Sequence, residues 1–165
     1  MIFTPRPYQS LMIEHVVRRP RCALWAGMGL GKTVATLTAL DCMYLAGLEK
    51  KPTLVLAPLR VARSVWPEEA KKWEGLRHIQ VQAVVGDHEE RSKALRTLKR
   101  GNHSVYAMNY DNIPWLMEKL GGEWPFGTVV ADEATRLKNL RVSIQVSENG
   151  KEFMTGQGGI RTKAL

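Results

Sequence analysis

Short apolar runs alternating with helix-length stretches predict an α/β fold: a mainly parallel sheet flanked by helices. Thr53–Ala57 is a continuous apolar run, the pattern of a strand covered on both faces, and Ser104–Asn109 and Thr128–Glu133 read as further strands. Helical stretches separate them. A glycine-rich turn, Ala26 to Thr33, joins the apolar run Cys22–Trp25 to the helical pattern Val34–Leu45, the strand–loop–helix layout of such folds.

In chain order, Thr4-Pro5-Arg6-Pro7-Tyr8-Gln9 reads as an extended entry, because proline disfavours helix in the residue before it. A helix follows to about Arg19, carrying Leu11, Ile13, Val16 and Val17, and Pro20 stops it. Cys22–Ala26 predicts the first strand. The helix after the glycine turn carries Leu37, Leu40, Tyr44 and Leu45, with Gly47 as its C-cap. Thr53–Ala57 predicts the second strand, ended by Pro58. A helix over Arg60–Glu74 is expected to kink at Pro67, with Trp66 and Trp73 as packing residues.

Ile79–Val85 alternates as a strand does, and His88–Arg100 is a charged helix closed by Gly101. Ser104–Asn109 is the next strand, Ile113–Leu120 a short helix, and Thr128–Glu133 a strand that ends in carboxylates. Beyond Arg141, Val142, Ile144 and Val146 alternate with polar residues, and Glu148-Asn149-Gly150 reads as a turn. Glu152–Met154 returns, which predicts a β-hairpin over 142–154. Ile160–Leu165 starts a further helix. Neither an internal repeat nor a low-complexity segment interrupts the chain.

The composition, 44% hydrophobic and 24% charged, fits one globular domain over 1–165. No apolar run is long enough to span a membrane, and the N-terminus lacks a signal-peptide core, so a cytoplasmic protein with no membrane partner is expected. Cys22 and Cys42 fall in apolar stretches and read as buried free thiols. His15, His78, His88 and His103 lack metal-ligand spacing. A net charge of +8 with pI ≈ 9.7 points to a polyanionic partner, nucleic acid first, although the basic residues are dispersed.

Ala26-Gly27-Met28-Gly29-Leu30-Gly31-Lys32-Thr33 has the form of a phosphate-binding P-loop, with Ala26 where the strict pattern has glycine. Glycines allow consecutive N–H groups to turn toward one point, and the following helix adds its unpaired N–H groups and the positive end of its dipole. Lys32 is placed to reach β- and γ-phosphates, and the Thr33 hydroxyl to hold Mg²⁺. Asp132-Glu133 is its counterpart. Parallel strands deliver their C-terminal residues to one sheet edge, so Asp132 can hold Mg²⁺ while Glu133 orients and deprotonates an attacking water. A Gly-rich connector followed by an exposed strand end is the bland alternative.

These residues carry a family resemblance. Asp132-Glu133-Ala134-Thr135 resembles the DExx box of superfamily-two helicases and translocases. Met28-Gly29-Leu30-Gly31-Lys32-Thr33 resembles the P-loop of their Swi/Snf-like branch, and the likeness extends to compact helicases encoded by phages and prophages. Arg6-Pro7-Tyr8-Gln9 is similar to that family's Q motif, which implies ATP binding by Arg6, Tyr8 and Gln9, with the glutamine reading the adenine edge, where its amide can donate and accept at once. Leu56-Ala57-Pro58-Leu59-Arg60, with Trp66 and Lys72-Trp73 behind it, resembles motif Ia. Asn109-Tyr110 stands where motif Ib contacts fall, and Arg136-Leu137-Lys138-Asn139 resembles the segment after the DExx box. The likeness covers about 4–140.

The resemblance implies a RecA-like lobe that hydrolyses ATP with Mg²⁺ and touches the backbone of double-stranded DNA, without reading sequence, through Pro58, Leu59, Arg60, Asn109 and Tyr110. It also implies absences: the second RecA-like lobe with its arginines, and the motif III strand, which in this class lies between the P-loop strand and the DExx strand. Truncation, completion by another chain or by self-association, and repurposing with the 142–154 hairpin repairing the sheet stay open at this point. So do an active but weak ATPase and a non-catalytic module that binds nucleic acid or protein. A P-loop kinase of small molecules would need neither Gln9 nor the Asp132–Thr135 box.

Overall fold

The computed structural model describes residues 1–96, 98 and 104–134, together with the backbone of 141–146 and 152–157. The helices are α1 (Pro7–Arg18), α2 (Lys32–Leu45), α3 (Trp66–Lys72), α4 (His88–Leu95) and α5 (Ile113–Leu120). The strands are β1 (Thr53–Ala57), β2 (Gln80–Ala83), β3 (Ser104–Asn109), β4 (Thr128–Ala131), β5 (Arg141–Val146) and β6 (Glu152–Gln157). Strands β2-β3-β1-β4 form one sheet in that order, every pairing parallel. Val55 lies between Ala107 of β3 and Val130 of β4. β5 and β6 pair antiparallel, Val146 opposite Glu152, as the alternation around Asn149-Gly150 predicts.

The two faces of β1 and β3 explain their unbroken apolar sequences. Val55, Ala57, Val105 and Ala107 face one core with Leu37 and Leu40 of α2, Trp66, Ala70 and Ile79. Leu54, Leu56, Tyr106 and Met108 face the other, with Leu95, Ile113, Leu116 and Phe126. Side chains alternate across a strand, so a strand buried on both sides must be apolar throughout.

Several expectations need correction. Pro7 does not lie in an extended entry; it opens α1 at the first helical position, where its missing N–H costs nothing and its φ suits the helix. Arg6 before it is extended, as the residue ahead of a proline prefers. The single helix expected over Arg60–Glu74 is instead a π-helical turn over Val61–Val65 followed by α3, and the Trp66 N–H reaches back to the Val61 carbonyl. That register shift falls where the next residue, Pro67, has no N–H to offer.

The larger correction concerns Cys22–Ala26. It is not a strand: among the described residues it pairs with no other segment, and Trp25 is 94% exposed. The outer edge of β4 likewise has no partner among the described residues, and Val129 is 44% exposed there. An apolar segment becomes a strand only when a neighbour supplies its hydrogen bonds, and none reaches this one. Cys22 and Cys42 are both exposed rather than buried, the first on this segment and the second on the outer face of α2. The segment 136–139 and the helix expected from Ile160 lie outside the described residues.

Candidate nucleotide site

The orientation of α2 places the site. Its last turn is tied to the start of β1 by a buried hydrogen bond of 2.6 Å between the Tyr44 and Thr53 hydroxyls. Burial pushes the Tyr44 phenol above its ordinary 10.0, against the lowering effect of that bond, so it stays neutral. Val34, Leu37 and Leu40 share one core with Val55 and Ala57, so with its last turn tied to the start of β1 the helix runs back along the strand. Its first residues, Lys32 and Thr33, stand toward the C-terminal ends of the strands, the edge from which Asp132 and Glu133 emerge after β4.

The loop before α2 has the backbone that its glycines permit. Gly29 and Gly31 have φ of 76° and 72°, in the left-handed region. A Cβ on Gly31 would lie 2.5 Å from Gln9 Nε2. Gln9, only 8% exposed, braces the loop: Nε2 donates to the Leu30 carbonyl at 3.2 Å, and Oε1 accepts the Arg6 N–H at 2.9 Å. Tyr8 is half-buried and Arg6 exposed. Lys32 Nζ donates to the Ala26 and Gly27 carbonyls at 2.9 and 2.8 Å, folded onto its own loop. Met28 projects into solvent.

Asp132 is held at several atoms. Its N–H donates to the Leu56 carbonyl at 2.7 Å, its carbonyl accepts the Tyr110 hydroxyl at 2.8 Å, and its Oδ2 accepts the Trp66 indole N–H at 3.0 Å. Glu133 is exposed and has φ 56°, a left-handed conformation that costs a non-glycine residue about 1 kcal/mol. Strain of this kind is concentrated at functional turns.

The remaining sequence-selected residues divide by exposure. Leu59 and Arg60 are exposed and Pro58 half-buried, at the turn where β1 passes into the π-helical segment. Tyr110 is 1% exposed and its hydroxyl points inward to Asp132, while Asn109 is buried with its Oδ1 accepting from Asn112 Nδ2. Neither presents its side chain at the surface. The roles of Trp66 toward Asp132 and of Gln9 toward Leu30 were not foreseen. Each joins residues far apart in the chain, and no local pattern marks such pairs.

The residues present suit a phosphate ligand and Mg²⁺. Gly29 and Gly31 give the loop the left-handed backbone in which successive N–H groups can turn toward one anion, no atom crowds the Cβ position of Gly29, and the Thr33 hydroxyl and Asp132 carboxylate are hard oxygen donors. No cluster of three or more His, Cys, Asp or Glu side chains suited to a metal occurs among the described residues. Mg²⁺ commonly uses one or two carboxylates together with substrate phosphates, so none is required.

A four-stranded parallel sheet with helices on both faces, a glycine loop opening a helix and an acidic pair after β4 are the layout of a RecA-like P-loop lobe. The SNF2-related domain model matches residues 10–153, and the chain belongs to that family. Its sheet and flanking helices are those of a RecA-like SNF2 ATPase core. It is similar to "Putative protein p41" of Acyrthosiphon pisum secondary endosymbiont phage 1, with 53% identity over 99% of this chain and 32% of that protein. Mouse DNA repair and recombination protein RAD54B is 29% identical over 80% of this chain and 15% of its own length.

In structure the chain resembles the Sulfolobus solfataricus SWI2/SNF2 ATPase core, solved in complex with dsDNA. The TM-score is 0.62 at 29% identity, covering 83% of this chain and 27% of that one. The chain thus spans about a third or less of each of these relatives. No described helix is long and apolar enough to cross a membrane.

Proposed function

We propose that the chain is the ATP-binding lobe of an ATP-dependent DNA helicase or translocase, hydrolysing ATP with Mg²⁺ and holding double-stranded DNA by its backbone. The observation that carries this reading is the shared edge: Lys32 and Thr33 open α2 on the side where Asp132 and Glu133 leave β4. The N–H groups of Gly27, Met28, Gly29, Leu30 and Gly31 face the phosphates, and Lys32 exchanges the Ala26 and Gly27 carbonyls for phosphate oxygens. Arg6, Tyr8 and the second amide hydrogen of Gln9 lie on the adenine side. Thr33 and Asp132 hold Mg²⁺, which neutralises phosphate charge. Glu133 orients the attacking water and takes its proton.

Exposed Leu59 and Arg60, with Pro58, face the DNA backbone, while Asn109 and Tyr110 set the adjoining loop from beneath. Contacts to phosphate carry no sequence information, and the net charge of +8 favours them. Arginines of a second RecA-like lobe, or of another chain, complete the site. Without them turnover should fall by about 10³–10⁵.

The test is Mg²⁺-dependent ATP binding and turnover with and without duplex DNA. Lys32→Ala should abolish binding, and Glu133→Gln should keep binding and lose turnover; unchanged turnover in both variants would sink the reading. A second reading, a lobe that binds DNA or protein without turnover, draws on the β4 edge, which has no partner among the described residues, and on the exposed Trp25 segment. Binding with no turnover at any DNA concentration would favour it.

A further inference from the structure

We propose that Trp66 and Tyr110 are positioning residues for Asp132, a two-point brace through which the segments carrying Arg60 and Asn109 hold the metal-binding carboxylate in place. The inference rests on the reading of Asp132 as a Mg²⁺ ligand. Trp66 is 1% exposed and packs among Val34, Leu37 and Val55, a place that any large apolar ring could fill. Its indole N–H is aimed at Asp132 Oδ2, 3.0 Å away and 66 positions along the chain. Indole nitrogen only donates, so this bond occupies one lone pair on one carboxylate oxygen and leaves Oδ1 for a cation or its waters.

Tyr110 acts on the main chain of the same residue. Its hydroxyl binds the Asp132 carbonyl at 2.8 Å while the Leu56 carbonyl takes the Asp132 N–H at 2.7 Å. Backbone and carboxylate are thereby fixed together, immediately before the left-handed turn at Glu133. The donors come from two places. Trp66 follows the π-helical turn that begins just after Arg60, and Tyr110 follows Asn109 at the end of β3. A shift of either segment would move the carboxylate directly, without passing through the P-loop. Outer partners of this kind typically alter metal affinity by about 10–100-fold when removed.

The experiment measures binding of a fluorescent ADP analogue across a Mg²⁺ series, for the unchanged chain, Trp66→Phe and Tyr110→Phe. Trp66→Phe keeps the ring and loses the donor. It should bind nucleotide in EDTA as the unchanged chain does, and need about tenfold more Mg²⁺ to reach the tighter Mg²⁺-dependent state. A merely structural role would weaken both conditions together. An independent readout covers the case where that variant folds poorly. Among the chain's 5 tryptophans, the Trp66 indole N–H resonance should exchange slowly, and it should shift in Asp132→Asn and on adding Mg²⁺ with ADP.

An unchanged Mg²⁺ requirement in folded Trp66→Phe, or an indole resonance indifferent to Asp132→Asn, overturns the brace while leaving the nucleotide site intact. No nucleotide binding by the unchanged chain, or binding unaffected by Lys32→Ala, overturns the underlying reading itself.

Discussion

Replacing Gly31 by alanine tests whether the P-loop and the N-terminal helix are one unit. Gly31 has φ 72°, so any L-residue there takes on left-handed strain of about 1 kcal/mol. The added Cβ would stand 2.5 Å from Gln9 Nε2 and 3.3 Å from Val34 Cγ1. Gln9 can retreat, but only by giving up its bond to the Leu30 carbonyl, worth about 1 kcal/mol. The sum, roughly 2 kcal/mol, should lower the urea midpoint by about 1 M at a denaturant slope ordinary for small proteins.

Gln9→Ala alone should cost both of its bonds, to the Leu30 carbonyl and from the Arg6 N–H, and adding Gly31→Ala to it should then cost only the backbone strain. The pair is therefore non-additive, with about 1 kcal/mol of coupling. Equilibrium unfolding of the four proteins measures this. A Gly31→Ala midpoint equal to that of the unchanged chain would refute the left-handed backbone. The same cost with and without Gln9 would refute the brace between α1 and the loop.

Two further predictions follow from other parts of the fold. Burial raises the Glu49 carboxyl, but hydrogen bonds from the Thr128 hydroxyl and the Lys51 and Lys50 N–H groups outweigh it and leave it below its ordinary 4.5. Because the folded value is the lower one, Glu49 contributes stability that is fully present above about pH 4.5 and is lost as pH falls through the folded value. Glu49→Ala should cost about 1 kcal/mol at neutral pH and flatten the acid limb of a stability–pH curve; an unaltered acid limb would count against the latch between the α2–β1 turn and β4. Cys22 and Cys42, both exposed, should each react with a disulfide reagent in the native chain within minutes, and protection of either thiol until denaturant is added would contradict its placement.

Much of this architecture was readable one residue after another. Thr53–Ala57 and Ser104–Asn109 are strands to the residue because both faces of each are covered, which forces unbroken apolar sequence. The turn before α2 and the end of β4 were legible because glycines cluster before Lys32 and an apolar run gives way to Asp132-Glu133 at short, local spacing. The antiparallel pairing of β5 and β6 was legible from the alternation of Val142, Ile144 and Val146 and from the Asn-Gly signal in the sequence between the strands.

Strand identity at Cys22–Ala26 was not legible, because five apolar residues satisfy the pattern whether or not a neighbour exists to pair with them. Nor could Cys22 or Cys42 be placed by the apolarity of its surroundings, since the exposed face of a helix or an unpaired segment carries similar neighbours.

By itself the sequence determined most of the element types, though not the one at Cys22–Ala26, together with the parallel sheet and the run of glycines before Lys32, because each depends on side-chain chemistry repeated at short range. Only the tertiary structure decided that Trp66 and Tyr110 converge on Asp132, that Gln9 closes on Leu30 and that Tyr110 points inward. These contacts join separate elements, and their geometry is set by how α1, α2, the π-helical turn and β4 pack. That packing is a property of the whole chain rather than of any segment.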